Sequence, residues 1–349
     1  MRDWFKQMFS VAIVCIIVCT GIALQGCNFI GLTKKEDVKV SKSQMCFGTV
    51  MTITLYGEEK ETTAVIDEAF EELNRLEMIF SAKKEDSELY RLNETAFQNS
   101  VAVSSELYEV ISKALMYNKK SGGALDISIG NIVSLWAIGT DDERIPGDEE
   151  IAGFLDMDGC SYICMDDSNR SVEFKDDRVK LDLGAIAKGY AADVIKAFIL
   201  NKNENAYGIL NFGGNIMTIG EKPNGSDWNI AITDPHEPEG TFATIGIKDK
   251  CVVTSGNYER YFEKDGVRYH HIIDAKTAYP ARSGVLSVSV IGDSSVDCDA
   301  LSTACFVLGV EEGLKLIESL DGFEAVFVDE NMETHMSGGM DKYNFTEIR

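Results

Sequence analysis

The sequence predicts an α+β fold in one continuous unit, and two observations support this class. Segments with helical spacing of apolar residues alternate irregularly with short β-branched segments, without the strict strand–helix–strand repeat of a parallel sheet. The 349 residues are 45% hydrophobic and 26% charged, which is a globular composition in a chain long enough to bury a core. The sequence shows no internal repeat or low-complexity tract.

Local patterns predict the individual elements. The β-branched alternation over 46–56 predicts a strand, and Val65, Ile66, Phe70, Leu73, Leu76 and Phe80 have the spacing of a helix over 61–80. Further helices are predicted over 107–118, 187–200 and 296–308, an acidic loop over 140–150, and strands over 208–219, 228–232, 241–247 and 285–291.

The N-terminal residues predict export. A charged start over 1–7 precedes an uncharged run over 8–24, which is typical of a secretory signal. Leu24-Gln25-Gly26-Cys27 places a small residue before a cysteine and resembles a bacterial lipoprotein processing box. We therefore expect a signal peptide over 1–26, a lipid on Cys27, a tether over 27–44 and a folded domain over 45–349, anchored at the extracytoplasmic face of the membrane. An uncleaved transmembrane anchor is the alternative.

The charge and the cysteines exclude two classes of function. A net charge of −24 argues against nucleic-acid binding, which needs clustered Lys and Arg. An anionic ligand would need backbone N–H groups or a bound cation. The cysteines outside the N-terminal segment are Cys46, Cys160, Cys164, Cys251, Cys298 and Cys305. They are scattered, with no CxxC pair, so we expect buried thiols rather than a zinc site, although an exported protein could pair some of them.

Two glycine-containing stretches could approach a ligand. Within 181–193, Asp182 is expected at the end of a strand, followed by Gly184, Gly189 and the open N-terminus of a helix. Such a terminus suits an anion, although a tight strand–helix turn would show the same small residues. The second stretch, over 211–215, is expected to be a simple turn.

Two further stretches contain acidic residues or histidines. Asp299 and Thr303 are four residues apart and share one face of a helix, so they could form an oxygen site of the kind that Mg²⁺ takes. From spacing alone, an acidic residue that complements the helix dipole is the better interpretation. His270 and His271 are adjacent on an expected strand, so at most one of them faces a site.

In their order along the chain, these stretches resemble the ApbE family, the FAD:protein FMN transferases once described as thiamine-biosynthesis lipoproteins. The resemblance extends over about 48–317. It is carried by Gly48-Thr49, 80–93, 123–130, Leu135-Trp136, 182–193, 211–214, 254–260, 270–274 and 299–303.

The resemblance implies an enzyme that uses FAD and Mg²⁺ to place FMN on a Thr or Ser hydroxyl of an exported acceptor protein, with release of AMP. The implied magnesium ligands are Asp299, Thr303, the carbonyl of Ala185, and Ser302, where some members have a further acidic ligand. The implied contacts with the flavin nucleotide are Phe47, Lys83, Ala124, Leu125, Asp126, Asp182, Lys188 and Ile273. His271 is the implied base, and an ordinary histidine pKa near 6.5 would suit that role.

Departures from the family pattern concern the flavin contacts more than the metal site. Phe47 stands where members of the family usually have Met, and Lys83 stands where they often have an aromatic residue. Two other functions remain open: an FAD pyrophosphatase in which water replaces the protein hydroxyl, and a non-catalytic surface flavin-binding lipoprotein. Asp299, Thr303 and His271 argue against the second, because binding alone needs no metal pair.

Overall fold

An eight-stranded sheet forms the centre of the protein. The structure is a computed structural model that describes residues 37–155, 157–237 and 239–348. The strands are β1 Val38–Cys46, β2 Thr49–Gly57, β3 Val101–Ala102, β4 Ile163–Asp166, β5 Ser171–Phe174, β6 Tyr207–Phe212, β7 Asn215–Ile219, β8 Trp228–Thr233, β9 Thr241–Ile247, β10 Cys251–Gly256, β11 Tyr261–Lys264, β12 Val267–His270, β13 Ile273–Asp274, β14 Tyr279–Pro280, β15 Val285–Gly292, β16 Glu324–Asp329, β17 Thr334–Met336 and β18 Thr346–Glu347.

The helices lie between these strands in the chain. They are α1 Glu59–Phe80, α2 Glu88–Thr95, α3 Ser105–Lys120, α4 Gly130–Trp136, α5 Asp148–Ala152, α6 Ala187–Lys202, α7 Ser295–Leu308 and α8 Val310–Glu318, with 3-10 turns at Gly159–Tyr162 and Met340–Tyr343. The mixture of helices and strands confirms the predicted α+β class.

The central sheet has the order β1-β2-β6-β7-β10-β15-β16-β17, and its neighbouring strands are antiparallel. Helices α1, α6, α7 and α8 contact its strands, and a small sheet of β18, β9 and β8 packs against its other face. Val253 belongs to the large core beneath the helices, whereas its neighbour Val252 packs with Trp228 and Ile245 of the small sheet. Neighbouring residues of a strand point to opposite faces, so the central sheet is covered on both sides.

Strong periodicity located the four predicted helices well, but the helices at Glu88–Thr95, Gly130–Trp136, Asp148–Ala152 and Val310–Glu318 were not predicted. Helix α1 begins two residues before the predicted start, where the side chain of Glu58 accepts a hydrogen bond from the backbone N–H of Glu61. Its buried face includes Ile66, Phe70 and Leu73, as the spacing predicted. The predicted strand over 241–247 coincides with β9, and the predicted helix over 296–308 is one residue shorter than α7.

The predicted tether over 27–44 overlaps a strand. Residues from Val38 onward form β1, which pairs with β2 along its whole length, so the sheet begins earlier than the expected domain boundary at 45. The outer face of β1 is exposed and is polar as far as Ser43, with Ser41 and Ser43 bonded to hydroxyls of β2. A strand without apolar alternation gives no periodic signal, which explains the error.

Two other predicted strands differ from the structure. The segment over 208–219 is broken by the turn at Gly213 and Gly214 into β6 and β7, so the expected turn over 211–215 is confirmed. Asp182 lies on an extended segment rather than on a strand, with its backbone N–H donating to the carbonyl of Ile127 at 2.8 Å.

The predicted signal peptide and Cys27 lie outside the described residues. Within 37–155, 157–237 and 239–348, no helix has both the length and the hydropathy needed to cross a membrane. The described cysteines are all free thiols, and they are buried except for Cys164, which is exposed contrary to expectation.

Candidate active site

A cavity of about 690 Å³ opens where the β1–β2 turn, the end of α1 and the start of α6 meet the polar face of α7. It brings together nearly all the predicted site residues: Phe47, Lys83, Ala124, Leu125, Asp126, Asp182, Ala185, Lys188, His271, Ile273, Asp299 and Thr303 line it. Residues up to 256 positions apart in the chain therefore line the same cavity, which their order in the sequence alone could not show.

Asp299 is held at the crossing of α6 and α7. Its carboxylate is buried, with only 3% of the residue exposed, and its Oδ2 accepts a 2.9 Å hydrogen bond from the backbone N–H of Gly189. The Nζ of Lys188 lies 3.5 Å from Oδ1 and donates to the carbonyl of Gly184 at 2.9 Å. The buried carboxylate thus keeps one oxygen fixed by the backbone and the other beside a positive charge.

The hydroxyls near Asp299 form a short chain that leads away from the cavity. Thr303 Oγ1 lines the cavity and lies 3.4 Å from Ser255 Oγ, which is 2.8 Å from Ser302 Oγ. Ser302 is fully buried, is not part of the cavity wall, and donates to the carbonyl of Asp299 at 3.0 Å. The expected role of Ser302 as a direct metal ligand is therefore not supported. Its hydroxyl contacts Ser255 and the carbonyl of Asp299, and the residue does not line the cavity.

The other three candidate metal ligands suit a hard cation. Asp299, Thr303 and Ala185 all line the cavity and could offer a carboxylate, a hydroxyl and a backbone carbonyl, and Mg²⁺ prefers such oxygen ligands. The first turn of α6 lies beside them, and its N-cap residue Ile186 makes no side-chain capping bond. A helix N-terminus favours negative charge, so an anion and a cation could both be held here.

His271 lines the cavity at the end of β12. Its Nδ1 lies 3.3 Å from the carbonyl oxygen of Arg260, an acceptor, so Nδ1 carries the proton and Nε2 keeps its lone pair. Burial, together with the positive charges of Arg260 and Lys188, lowers the pKa of His271 to about 3. The imidazole is therefore neutral at physiological pH, and its pKa is well below the ordinary value that the sequence suggested.

His270 has a different environment. Only 6% of it is exposed, its Nε2 is 2.9 Å from the carbonyl of Ala281, and its Nδ1 accepts from the backbone N–H of Ile272 at 3.3 Å. Its ring meets Phe306 edge-on at 5.3 Å. Burial lowers its pKa to about 4. The prediction that at most one of the two histidines faces the site is confirmed.

Asp126 is oriented by three donors on a single oxygen. Its Oδ1 accepts from the backbone N–H of Ser128 at 2.8 Å, from Ser128 Oγ at 2.5 Å, and from Cys160 Sγ at 3.2 Å. Burial and the nearby Asp126 raise the pKa of the Cys160 thiol, so it stays protonated and remains a donor. These contacts leave Oδ2 available to a ligand in the cavity.

Several residues that line or support the cavity wall were missed from the sequence because only the tertiary structure reveals them. Glu77, near the end of α1, accepts from the backbone N–H of Phe47 at 2.8 Å and pairs with Lys84 at 2.6 Å. It thereby fixes the β1–β2 turn, where Phe47 has a φ of +53°. Ser128 and Cys160 act on Asp126 in the same indirect way. Their sequence neighbourhood carries no pattern that would have found them.

A model described as the ApbE family matches residues 47–327. The chain belongs to this family. A protein named FAD:protein FMN transferase from Treponema pallidum (strain Nichols) is 35% identical over 341 residues, which is 93% of each chain. Another of that name, from Klebsiella pneumoniae (strain 342), is 32% identical and covers 85% of this chain and 91% of its own.

Solved structures of the family share the fold. The ApbE protein from Thermotoga maritima has a TM-score of 0.82 at 34% identity, over 88% of this chain and 99% of its own. Flavin transferase ApbE from Vibrio cholerae has a TM-score of 0.78 at 27% identity, over the same shares of the two chains. The family resemblance and the fold that it implied are thus confirmed.

Proposed function

We propose that this chain is an FAD:protein FMN transferase, which moves FMN from FAD to a Thr or Ser hydroxyl of an exported protein and releases AMP. The observation that carries the proposal is the meeting of Asp299, Thr303, Lys188 and His271 at one cavity, in a chain whose relatives bear this name.

The polar wall can manage the charge of a pyrophosphate. Asp299, Thr303 and the Ala185 carbonyl would hold Mg²⁺, and their all-oxygen chemistry fits that ion. When bound, Mg²⁺ supplies positive charge that offsets the phosphate oxygens and stabilises the leaving group. Lys188 adds a fixed positive charge beside Asp299, and the first turn of α6 adds a helix N-terminus. A protein of net charge −24 needs such local compensation.

The acceptor hydroxyl must lose its proton during transfer. The hydroxyl oxygen forms a bond to the phosphorus of the FMN moiety, the bond from that phosphorus to the bridging oxygen breaks, and AMP leaves. His271 is neutral and holds its proton on Nδ1 toward Arg260, so Nε2 can take the hydroxyl proton. Asp126 offers Oδ2 to a hydroxyl or N–H of the nucleotide.

We further propose that the protein is a lipoprotein held at the extracytoplasmic face of the membrane. The support is the order of the N-terminal residues, an uncharged run followed by Leu24-Gln25-Gly26-Cys27. An acceptor that is itself exported would then meet the enzyme in the same compartment.

The experiment that tests the transferase incubates the full chain with FAD, Mg²⁺ and the exported-protein fraction of a strain that lacks this chain. Covalent flavin is read as fluorescent bands on a denaturing gel. We expect labelled protein with the wild type and none with Asp299→Asn, which keeps the acceptor for Gly189 N–H but loses the charge. Release of FMN and AMP without labelled protein would instead indicate an FAD pyrophosphatase, and bound but intact FAD would indicate a flavin-binding protein.

A further inference from the structure

An exposed apolar pair lies at the rim of the cavity. Met45 and Val50 are directly opposite each other near the tip of the β1–β2 hairpin, and both line the cavity. Among the large hydrophobic residues that the structure describes, they are the two most exposed, at 65% and 54%. Apolar surface that borders a functional cavity is characteristic of a binding surface.

The polarity of this hairpin face changes at the cavity. Side chains alternate between the faces of a strand, so the outer face presents every second residue of β1 and β2. Away from the cavity this face carries two hydroxyl pairs, each with 2.8 Å between the oxygens: Ser41 with Thr54, and Ser43 with Thr52. The next pair along the same face is Met45 with Val50. The pair beside the cavity is therefore apolar, whereas the two preceding pairs on the same face are joined by their hydroxyl groups.

The hairpin tip is held rigidly, so the exposure of this pair belongs to a fixed surface. The backbone N–H of Phe47 donates to Glu77 Oε1 at 2.8 Å, and the ring of Phe47 packs near Phe80, with centroids 6.5 Å apart. On the β2 side, Thr49 fills the space beside Gly213, where an added Cβ would lie 2.5 Å from Thr49 Oγ1.

The two faces of the tip suit different ligands. Cys46 lies toward α1, with its Sγ donating to the carbonyl of Leu73 at 3.7 Å, and Phe47 and Phe80 also lie on that inner side. Phe47 and Phe80 line the cavity, whereas Cys46 is buried against the helix, so a bound nucleotide would contact the two aromatic rings. Met45 and Val50 lie on the opposite, outer face of the hairpin, where they line the rim of the cavity and stay 65% and 54% exposed, so a polypeptide that approaches the cavity from solvent can contact them.

We propose that Met45 and Val50 bind the acceptor protein by packing against an apolar side chain close to its acceptor Thr or Ser. This inference rests on the proposed transferase function, which requires a protein hydroxyl to cross the rim. The pair is uncharged, so an acceptor segment can approach it without adding to the charge repulsion of a chain at −24. The expected segment is extended and carries an apolar residue beside the hydroxyl.

The test compares full-length variants in the labelling assay described above, with the same exported-protein fraction as the probe. Met45→Gln with Val50→Thr makes the pair polar like its neighbours and preserves the side-chain sizes. Met45→Leu with Val50→Ile keeps the pair apolar. Met336→Gln is the matched control, because Met336 is 44% exposed on β17 at the opposite edge of the sheet. FAD affinity is measured by fluorescence quenching for each variant.

We expect the polar double variant to lower the initial labelling rate by about tenfold or more. A change of this size corresponds to the loss of roughly one apolar contact. Its FAD affinity should stay within about twofold of the wild type, and the apolar double variant and Met336→Gln should label normally. Equal labelling by the polar variant overturns the inference, and so does an equal loss of FAD affinity, which would place the pair against the nucleotide. If the wild type labels no protein, the transferase proposal itself fails, and the acceptor role fails with it.

Discussion

The backbone N–H of Gly189 donates a 2.9 Å hydrogen bond to the carboxylate of Asp299, joining two helices that begin more than 100 residues apart. The contact is possible because Gly189 has no side chain. A Cβ there would lie 2.3 Å from the carbonyl oxygen of Ser295 and 2.7 Å from Asp299 Cβ. One glycine therefore sets both the closeness of α6 to α7 and the orientation of Asp299, the proposed metal ligand.

We predict that Gly189→Ala separates the two helices and displaces Asp299. The overpacking should lower the free energy of unfolding by about 1–3 kcal/mol and reduce FMN transfer more than stability alone would explain. Thermal unfolding and transfer rate at a temperature where both proteins are folded provide the measurement. Gly338→Ala is the control, since nothing lies within 4 Å of a Cβ at Gly338. Because Asp299 is the proposed metal ligand, its displacement should change how the transfer rate depends on Mg²⁺ concentration. An unchanged dependence in Gly189→Ala would contradict the prediction.

We predict that His270 makes the folded protein less stable in acid. Its pKa is about 4 in the folded state and near 6.5 when unfolded, so the unfolded chain binds more protons between these values. Stability should therefore rise with pH from about 4 to about 6.5, by up to about 1.4 kcal/mol per pH unit from this residue. His271, also with a lowered pKa, acts in the same direction.

Urea unfolding at pH 4.5 and pH 7 measures this effect. In His270→Gln the difference in stability between the two pH values should shrink, whereas His236→Gln, at an exposed position, should leave it unchanged. An equal pH dependence in His270→Gln and the wild type would show that other groups cause the acid sensitivity.

The orientation of Asp126 leads to a third prediction. Removal of its donors by Ser128→Ala or Cys160→Ala should raise the KM for FAD several-fold while kcat changes little, because Asp126 would lose its fixed position but not its charge. Cys160→Ser, which retains a donor, should recover most of the affinity. Cys164→Ala is the control on the neighbouring exposed thiol. A loss of kcat with unchanged KM would assign these residues a different role.

The N-terminal segment provides a fourth prediction. Cys27→Ser should block lipid attachment and normal processing, because the thiol of Cys27 is the expected lipidation site. Metabolic labelling with a fatty acid, followed by membrane fractionation, measures it. Cys19→Ser, within the uncharged run, is the control and should keep its label. Equal label in Cys27→Ser and the wild type would favour the uncleaved anchor instead.

The sequence predicted the helices and the residues around the cavity better than it predicted the first strand and the supporting contacts. Apolar periodicity located α1 because this helix buries one continuous face, whereas α7 is apolar and buried on nearly all sides. The spacing of Asp299 and Thr303 could not by itself distinguish a metal pair from an acidic residue that complements the helix dipole, and only the resemblance to the family implies the metal pair. Glu77 and Cys160 contact partners 30 and 34 residues away, and Ser128 acts through a local turn, and such contacts leave no periodic pattern.

The last prediction concerns His271, whose proposed role as base depends on the protonation state of its imidazole. With Nδ1–H directed at the Arg260 carbonyl and a pKa lowered to about 3, His271 is already neutral throughout the working pH range. Wild-type transfer should therefore show no loss centred near pH 6.5. His271→Asn should keep FAD affinity, because Asp126, Lys188 and the backbone remain, but should lose transfer by about 10²–10⁴-fold.

FAD affinity from fluorescence quenching and transfer rates from pH 5 to pH 9 measure both parts of this prediction. The deficit of His271→Asn should narrow at high pH, where hydroxide can replace the missing base. A purely structural histidine would instead lose stability and FAD affinity together, and His270→Asn, whose ring packs on Phe306 away from the cavity, shows what that pattern looks like. If His271→Asn transfers FMN within about threefold of the wild type across the range, far below the usual effect of a general base, activation of the hydroxyl must come from the Asp299 and Thr303 side of the cavity.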